Sequence, residues 1–362
     1  MSGTVSLGDA TVSHSSRRVP VKGSDRRVGP YPYWGASGVV DYVDDYLFDK
    51  PMLLVSEDGE NLLSRKTPIA FIATGKYWVN NHAHVLAAAP GYDLRFLYYF
   101  VSTYDFNGHG LVTGSGQPKL NAANLRRVRV PSLPLEEQER IAGVLGAFDD
   151  LIETNRRLSR HANDLQRAAF LRATDGLLRV AISELMQVEM GQSPPGHTYN
   201  SDGDGLPFFQ GVKDFGDRYP AIRIYCSEPR RIAEPGDLLL AVRAPIGRVN
   251  VATERCATGR GLAILRSANS AVALQALTAQ PDLWAAYEDE GTVFSSINRK
   301  VISEQRIRWS NDPVLADVLE TLDHLVLDCH EQNVALARQR DELLSLLMSG
   351  KVRVRDVEVP MS

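Results

Sequence analysis

Apolar and polar residues follow two different rhythms along this chain. The first steps by alternating fours and threes. Between about Pro134 and Ala173 it runs through Val144, Phe148, Leu151, Asn155, Leu158, Ala162, Leu165 and Ala169. Between about Pro313 and Gly350 it runs through Leu319, Leu322, Val326, Cys329, Asn333, Leu336, Arg340, Leu343 and Leu347. That spacing predicts two long helices, each with a coiled-coil seam carrying one asparagine. Pro134 suits a first helical turn because it has no N–H to leave unpaired, and Glu136 and Glu137 complement the helix dipole. Asp312 is the expected N-cap of the second helix, with Pro313 behind it. About 38 residues at ~1.5 Å each reach roughly 57 Å, longer than a small domain is wide, so the two helices are expected to pair with each other. An asparagine at such a seam fixes register.

The second rhythm is short apolar runs broken by turns. Strands are expected at Met52–Ser56, Ile69–Ala73, Val85–Ala88 and Arg127–Val130, then at Ile222–Cys226, Asp237–Ala241, Arg248–Ala252 and Leu262–Leu265. Shorter helices are expected at Leu94–Ser102 and Ala271–Tyr287. Gly29-Pro30, Ser193-Pro-Pro-Gly196, Asp202-Gly-Asp-Gly205 and Pro245-Ile-Gly247 are turn signals. The helix copies align directly, Ala142-Gly-Val-Leu-Gly-Ala-Phe-Asp149 with Ala316-Asp-Val-Leu-Glu-Thr-Leu-Asp323. Leu120-Asn121 followed by Val128-Arg129 is echoed by Ile297-Asn298 followed by Ile307-Arg308. The expected architecture is α+β, a twofold internal repeat of two α/β domains joined by a long antiparallel helix pair. The expected boundaries are a first domain at 1–133, a central helix at 134–175, a second domain at 176–312, a distal helix at 313–350 and a tail at 351–362.

Charge changes the picture once it is apportioned. The 362-residue chain has a net charge of −4. Residues 1–133 carry +3 and residues 176–312 carry −1, while the helical segments 134–175 and 313–362 carry −2 and −4. The acidity therefore sits in the helices, and the domains are free to present local basic faces. No apolar run approaches the ~20 residues needed to span a bilayer, and the N-terminal stretch has no signal-peptide core, so no membrane contact and a cytoplasmic location are expected. Cys226, Cys256 and Cys329 have no CxxC spacing, which argues against a zinc site or a disulfide framework.

Catalytic motifs are missing. The chain has no GxxxxGK[ST], no GxGxxG after a strand and no Asn/Asp-Pro-Pro-aromatic run. His82-Ala-His84 lacks a convincing third metal ligand, and the Asp58-Gly59 turn accounts for Glu57 and Asp58 without nuclease chemistry. No catalytic, cofactor-binding or metal-binding residue is expected. Both domains instead mix basic and amide side chains with aromatics and glycines on predicted loops. The candidate DNA-binding residues are Arg17, Arg18, Tyr33, Lys76, Asn81, His82 and Lys119 in the first domain. In the second they are Gln210, Lys213, Arg243, Arg260, Asn298, Arg299 and Lys300. Arg and Lys neutralise phosphates, and Arg, Asn and Gln can pair bidentately with base edges. Such residues also fit a two-headed protein-interaction scaffold without base-specific readout; binding that ignores sequence and salt would favour that alternative.

The run Gly116-Gln-Pro-Lys-Leu-Asn121, Arg127-Val-Arg-Val-Pro131, Leu133-Pro-Leu-Glu-Glu-Gln-Glu-Arg-Ile-Ala142 and Phe148-Asp149 resembles the specificity (S) subunits of type I restriction–modification systems. Tyr31-Pro-Tyr-Trp-Gly35 and Trp78-Val-Asn-Asn-His82 fit a first target-recognition domain of that family. Leu206-Pro-Phe-Phe-Gln-Gly211, Gly236-Asp-Leu-Leu239, Arg243-Ala-Pro-Ile-Gly247 and Gly259-Arg-Gly261 fit a second. Ser310-Asn-Asp-Pro313 departs from the Pro-x-x-Glu-Gln pattern at the second helix start. The resemblance implies a non-catalytic subunit whose two domains each read one half of a split sequence in double-stranded DNA, with the helix pair setting the gap. It implies methylation (M) and restriction (R) subunits as partners, with S-adenosylmethionine, ATP and Mg bound there and none in this chain.

Overall fold

The structure, a computed structural model, describes residues 3–114, 116–287, 296–348 and 350–354. Expectations for Ser349 and for tail residues 355–362 fall outside the described residues. The chain divides into two compact units, Met1–Thr154 with Gln332–Ser362, and Asn155–Glu331.

In the first unit, Thr4–Ser6 pairs antiparallel with Arg129–Pro131. A four-residue helix, Leu7–Ala10, then leads into an antiparallel sheet ordered Thr11–Ser13, Ala83–Ala88, Met52–Ser56, Ala70–Ala73. Met52–Ser56 is buried throughout because both of its faces are covered. Leu53 and Val55 pack with Phe96, Leu97 and Phe100 of the helix Leu94–Thr103. Met52 and Leu54 turn the other way, onto Phe48, Tyr77 and Val79. Alternation along a strand, with cover on each side, is why a continuous apolar run reads as a central strand. A second sheet is ordered Gly38–Val43, Tyr31–Gly35, Trp78–Val79, its last pair parallel.

The second unit pairs Arg179–Ala181 with Arg306–Arg308, followed by the helix Ile182–Leu185. Its main antiparallel sheet is ordered Gln187–Met190, Leu262–Arg266, Leu238–Ala241, Val249–Val251. Leu238 and Leu240 face the helix Ser270–Thr278, while Leu239 joins Phe209 and Ile264 on the opposite side. Five short strands, Tyr199–Asn200, Tyr225–Cys226, Leu206–Phe209, Cys256–Thr258 and Ile232–Ala233, make the other sheet.

Both long helices are present, at Leu135–Ala173 and Pro313–Met348. Asp312 Oδ1 accepts from the Val314 N–H at 2.9 Å. The central helix ends where the Thr174 hydroxyl donates to the Phe170 carbonyl and Gly176 takes a left-handed φ of +71°. Within the first unit Ile141, Ala142 and Leu145 share a core with Leu344 and Leu347, and Asp149 pairs with Arg340. Within the second, Ala162 meets Val326, and Phe170 shares a core with Leu315 and Leu319. Partner numbers fall as central-helix numbers rise in each unit, so the segments run antiparallel.

The expected seam needs correction on the central helix. Leu151 and Leu158 are 46% and 42% exposed, and Leu165 is 55% exposed. The buried stripe keeps half-buried Phe148 and buried Asn155 and Ala162, but uses Leu145, Ile152 and Gln166 where Val144, Leu151 and Leu165 were expected. Adjacent residues on a helix point ~100° apart, so a one-residue slip at every second rung moves a side chain to the rim. The slip was hidden because fully buried Gln166 is polar and reads as a surface position. On the distal helix Leu319 and Val326 are buried, and Leu322, Asn333, Leu336 and Leu343 are half-buried.

Three smaller expectations also change. A helix, Ala122–Arg127, takes the start of the strand expected at Arg127–Val130, which becomes Arg129–Pro131. Only Tyr225–Cys226 of the expected Ile222–Cys226 strand pairs. The helix expected to Tyr287 stops at Thr278, just before Gln280-Pro281, where a residue preceding proline is pushed out of the helical region.

Candidate nucleic-acid interface

In the first unit the loop 14–28 is pinned to the smaller sheet by buried or half-buried side chains. The Trp78 indole donates to the Val19 carbonyl at 2.6 Å, and the Tyr33 hydroxyl accepts from the Val21 N–H at 2.8 Å. Tyr33 is 1% exposed, so it anchors the loop from beneath and is not a surface residue. Arg26 lies over the Tyr33 ring and pairs with Asp41 at 3.0 Å. Arg17 and Lys76 are exposed beside aromatic rings: Arg17 sits over Phe48, which stacks on Tyr77, and donates to the Leu47 carbonyl at 2.8 Å, while Lys76 sits over Tyr46.

Arg18, Asn81, His82 and Lys119 gather around the turn at Glu57 and Asp58. Arg18 Nη1 donates to Glu57 at 2.6 Å and to the Ala83 carbonyl at 2.7 Å, with its side chain only 16% exposed. Its Nη1 is thus taken up inside the unit. Lys119 approaches the other Glu57 oxygen at 3.4 Å, and Asp58 accepts from His82 Nδ1 at 2.8 Å. Asn81 is exposed on the turn that carries His82. His84, 2% exposed, donates from Nε2 to the Leu120 carbonyl at 2.7 Å. Burial raises the Glu57 carboxyl, but the Arg18 hydrogen bond and the cations beside it outweigh that and leave it below its ordinary value. Burial also lowers His84, more than the Leu120 carbonyl and Glu57 raise it. Among the described residues, no three His, Cys, Asp or Glu side chains group to hold a metal ion.

In the second unit Gln210 and Arg260 are exposed on adjoining turns. The Gly259 N–H donates to the Phe209 carbonyl at 2.8 Å. A Cβ on Gly261 would come within 2.2 Å of the Gln210 carbonyl oxygen, so only glycine lets these two turns approach. Buried Asp214 accepts from the Gln210 N–H at 2.8 Å and closes a tight turn that carries exposed Lys213. Arg243 is exposed two residues beyond the central strand Leu238–Ala241, where its backbone bridges Ser296.

The remaining candidates lie at the start of one short helix. Asn298 Oδ1 accepts from the Val301 N–H at 3.1 Å, so that side chain caps the helix Arg299–Glu304. Lys300 lies 3.9 Å from Glu304 on the same helix. Arg299 lines a cleft of about 370 Å³ with Glu189 and Arg231. Sequence reasoning missed Gln138, fully buried, whose Oε1 accepts from the Asp93 N–H while Nε2 donates to the Gly91 and Leu133 carbonyls. It also missed Arg218, 8% exposed, which donates to Asn163, Gln166 and Asp323. For Gln138 the available signal was a polar residue at a core-facing step of the helix; Arg218 lies in a loop, where periodicity gives no such signal.

Residues 3–162 match the family model described as the type I restriction modification DNA specificity domain. A type I restriction enzyme specificity subunit of Methanocaldococcus jannaschii is 28% identical over 268 residues, covering 66% of this chain and 63% of that protein. One from Haemophilus influenzae is 30% identical over 250 residues, covering 65% and 63%. The matches thus span about 63% of the length of these curated relatives. The crystal structure of a type I restriction-modification system S subunit from M. genitalium superposes with a TM-score of 0.63 at 15% identity, over 95% of each chain, a likeness of fold.

Proposed function

We propose, from its similarity to the specificity subunits of type I restriction–modification systems, that this chain is the non-catalytic, sequence-reading subunit of such a complex. It directs methylation and restriction subunits to a split target in double-stranded DNA. Residues 1–133 and 176–312 each read one half, and the helices at 134–175 and 313–350 set the gap. S-adenosylmethionine, ATP and Mg belong to the partner subunits. The complex works in the cytoplasm, a reading supported by three buried free cysteines. Among the described residues no helix is long and apolar enough to cross a membrane.

The observation that carries this reading is the matching order of elements in the two units. Each begins with a three-residue strand and a four-residue helix, Thr4–Ser6 with Leu7–Ala10 and Arg179–Ala181 with Ile182–Leu185. Each ends with an Asn-capped six-residue helix, a three-residue strand that pairs back to the first, and a long helix. A duplicated reader on helical spacers suits a bipartite target, because two modules held apart turn half-site spacing into part of the specificity. The exposed pairs Arg17 with Lys76 and Gln210 with Arg260 are the proposed contacts, supported by their place on glycine- and aromatic-supported loops.

Genome-wide methylation mapping in cells with and without this chain tests the proposal. A split motif that disappears with the chain is expected. Unchanged methylation, or loss of an unsplit motif, refutes it.

A further inference from the structure

Two carboxylates away from the proposed DNA contacts occupy matching places in the two units. Asp149 and Asp323 are 174 residues apart, the offset that aligns the two helix copies. In the first unit Asp149 accepts from the Tyr99 hydroxyl at 2.6 Å and from Arg340 Nη1 at 2.6 Å. Tyr99 belongs to the domain helix Leu94–Thr103 and Arg340 to the distal helix, so one carboxylate joins three elements. In the second unit Asp323 accepts from Arg218, in the loop between the strands Leu206–Phe209 and Tyr225–Cys226, and from Gln166 of the central helix. Arg340 and Gln166 are themselves 174 residues apart. The pair Asp149–Arg340 is therefore made a second time as Asp323–Gln166, with the helices exchanging roles.

The third partner differs in kind, a tyrosine from a helix in one unit and an arginine from a loop in the other, but its task is the same. Gln166 is 0% exposed and also donates to the Leu319 carbonyl at 2.8 Å. Arg218 keeps 9% of its side chain exposed and spans both helices, donating to Asn163 and Gln166 as well as Asp323. Asp149, Arg340 and Asp323 are half-buried, and partly buried charged hydrogen bonds are directional, so they specify one arrangement more than they add stability. A polar residue at a coiled-coil seam selects register by the same physics.

We infer that Asp149 and Asp323 are paired positioning residues, each locking the register of the two helix segments in its own unit and, through Tyr99 or Arg218, the seating of that unit's domain on them. The inference rests on the proposed function in one respect: a fixed seating is what gives the gap between half-sites a single value.

The test uses the full-length chain with Asp149→Ala, Asp323→Ala, and the exchange Asp149→Arg with Arg340→Asp. Amide hydrogen exchange comes first because it needs no DNA. Asp323→Ala should speed exchange about tenfold or more around Gln166, Leu319 and Arg218, leaving helix amides near Leu145 and Leu344 at wild-type rates. Asp149→Ala should do the reverse, and the charge exchange should bring the rates back toward wild type. Uniform acceleration, no acceleration, or no recovery in the exchange variant overturns the lock. Methylation mapping then reads the gap. Each alanine variant should keep both half-site sequences and admit gaps about one base pair longer or shorter. An unchanged gap beside locally faster exchange overturns the link to spacing. A wild-type chain that supports no split motif refutes the proposed function instead, and the exchange rates still decide the lock.

Discussion

Replacing Gln138 separates a recognition role from a seating role for the Leu133-to-Ala142 run. Gln138 is fully buried and joins the start of the central helix to the 91–93 turn, with bonds of 3.1 Å from the Asp93 N–H and 3.2 and 2.8 Å to the Gly91 and Leu133 carbonyls. That turn supplies the N-cap of the helix Leu94–Thr103, since Asp93 Oδ1 accepts from the Phe96 N–H at 2.8 Å. Gln138→Met keeps the volume and removes all three bonds. Gly91 is exposed and its carbonyl can turn to water, whereas Asp93 and Leu133 are half-buried. Two poorly compensated groups at ~1–3 kcal/mol each, discounted for partial exposure, give a loss of about 2–3 kcal/mol. For a unit of this size the midpoint should fall by roughly 5–10 °C. Gln138→Glu can still accept from Asp93 but sets a carboxylate against two carbonyls, so its loss should be at least as large. Thermal unfolding of the full chain measures the fall, and hydrogen exchange of the Leu94–Thr103 amides assigns it to the first unit. A Gln138→Met midpoint within about 1 °C of wild type, or a Gln138→Glu chain more stable than Gln138→Met, refutes the reasoning.

Three further outcomes follow, two of them from the Glu57 cluster. Arg18→Ala leaves the Glu57 carboxylate, 13% exposed, with Lys119 still beside it at 3.4 Å and should cost about 2 kcal/mol. Arg17→Ala and Lys76→Ala should change stability by less than about 0.5 kcal/mol while lowering the salt slope of DNA binding by about one each; the reverse pattern, read by denaturation and salt titration, would exchange their roles. His84 sits below its ordinary 6.5 through burial, so the unfolded chain takes up its proton first as the solution is acidified. The stability it contributes is full above about pH 6.5 and is lost as pH falls through the folded value, and Glu57, held below its ordinary 4.5, adds a loss only at lower pH. Midpoints of the first unit should therefore fall between pH 7 and 5.5, and His84→Gln should flatten that slope; a wild-type midpoint that stays level over this interval contradicts the assignment.

What the sequence discloses about this fold depends on how local the cause is. The long helices announce themselves because caps, first-turn acids and apolar periodicity all lie within the helix, and Met52–Ser56 does so because burial on both faces leaves five buried residues in a row. Trp78–Val79 and Tyr225–Cys226 have no such signature: two residues become a strand only because a distant segment offers them register. The central-helix seam shows the same limit, since its true rungs are fixed by what lies opposite, and Leu151 and Leu158 satisfied the ladder without facing it.

The interface divides along that line too. Composition can find cationic and amide side chains, but whether each faces solvent depends on partners far along the chain. Arg18 and Lys119 have equivalent claims in sequence, yet Arg18 meets Glu57 from within with its side chain 16% exposed, while Lys119 reaches the same carboxylate with its side chain 52% exposed. The residues hardest to assign were polar ones at apolar positions, Gln138, Gln166 and Arg340, which look like defects in the periodicity. Placing a polar group there is costly unless every bond it needs is supplied, so each such defect points to a matching partner elsewhere. Gln166 and Arg340 answer to Asp323 and Asp149 at one common offset. The exceptions to the hydrophobic pattern therefore encode the register that the pattern itself leaves open.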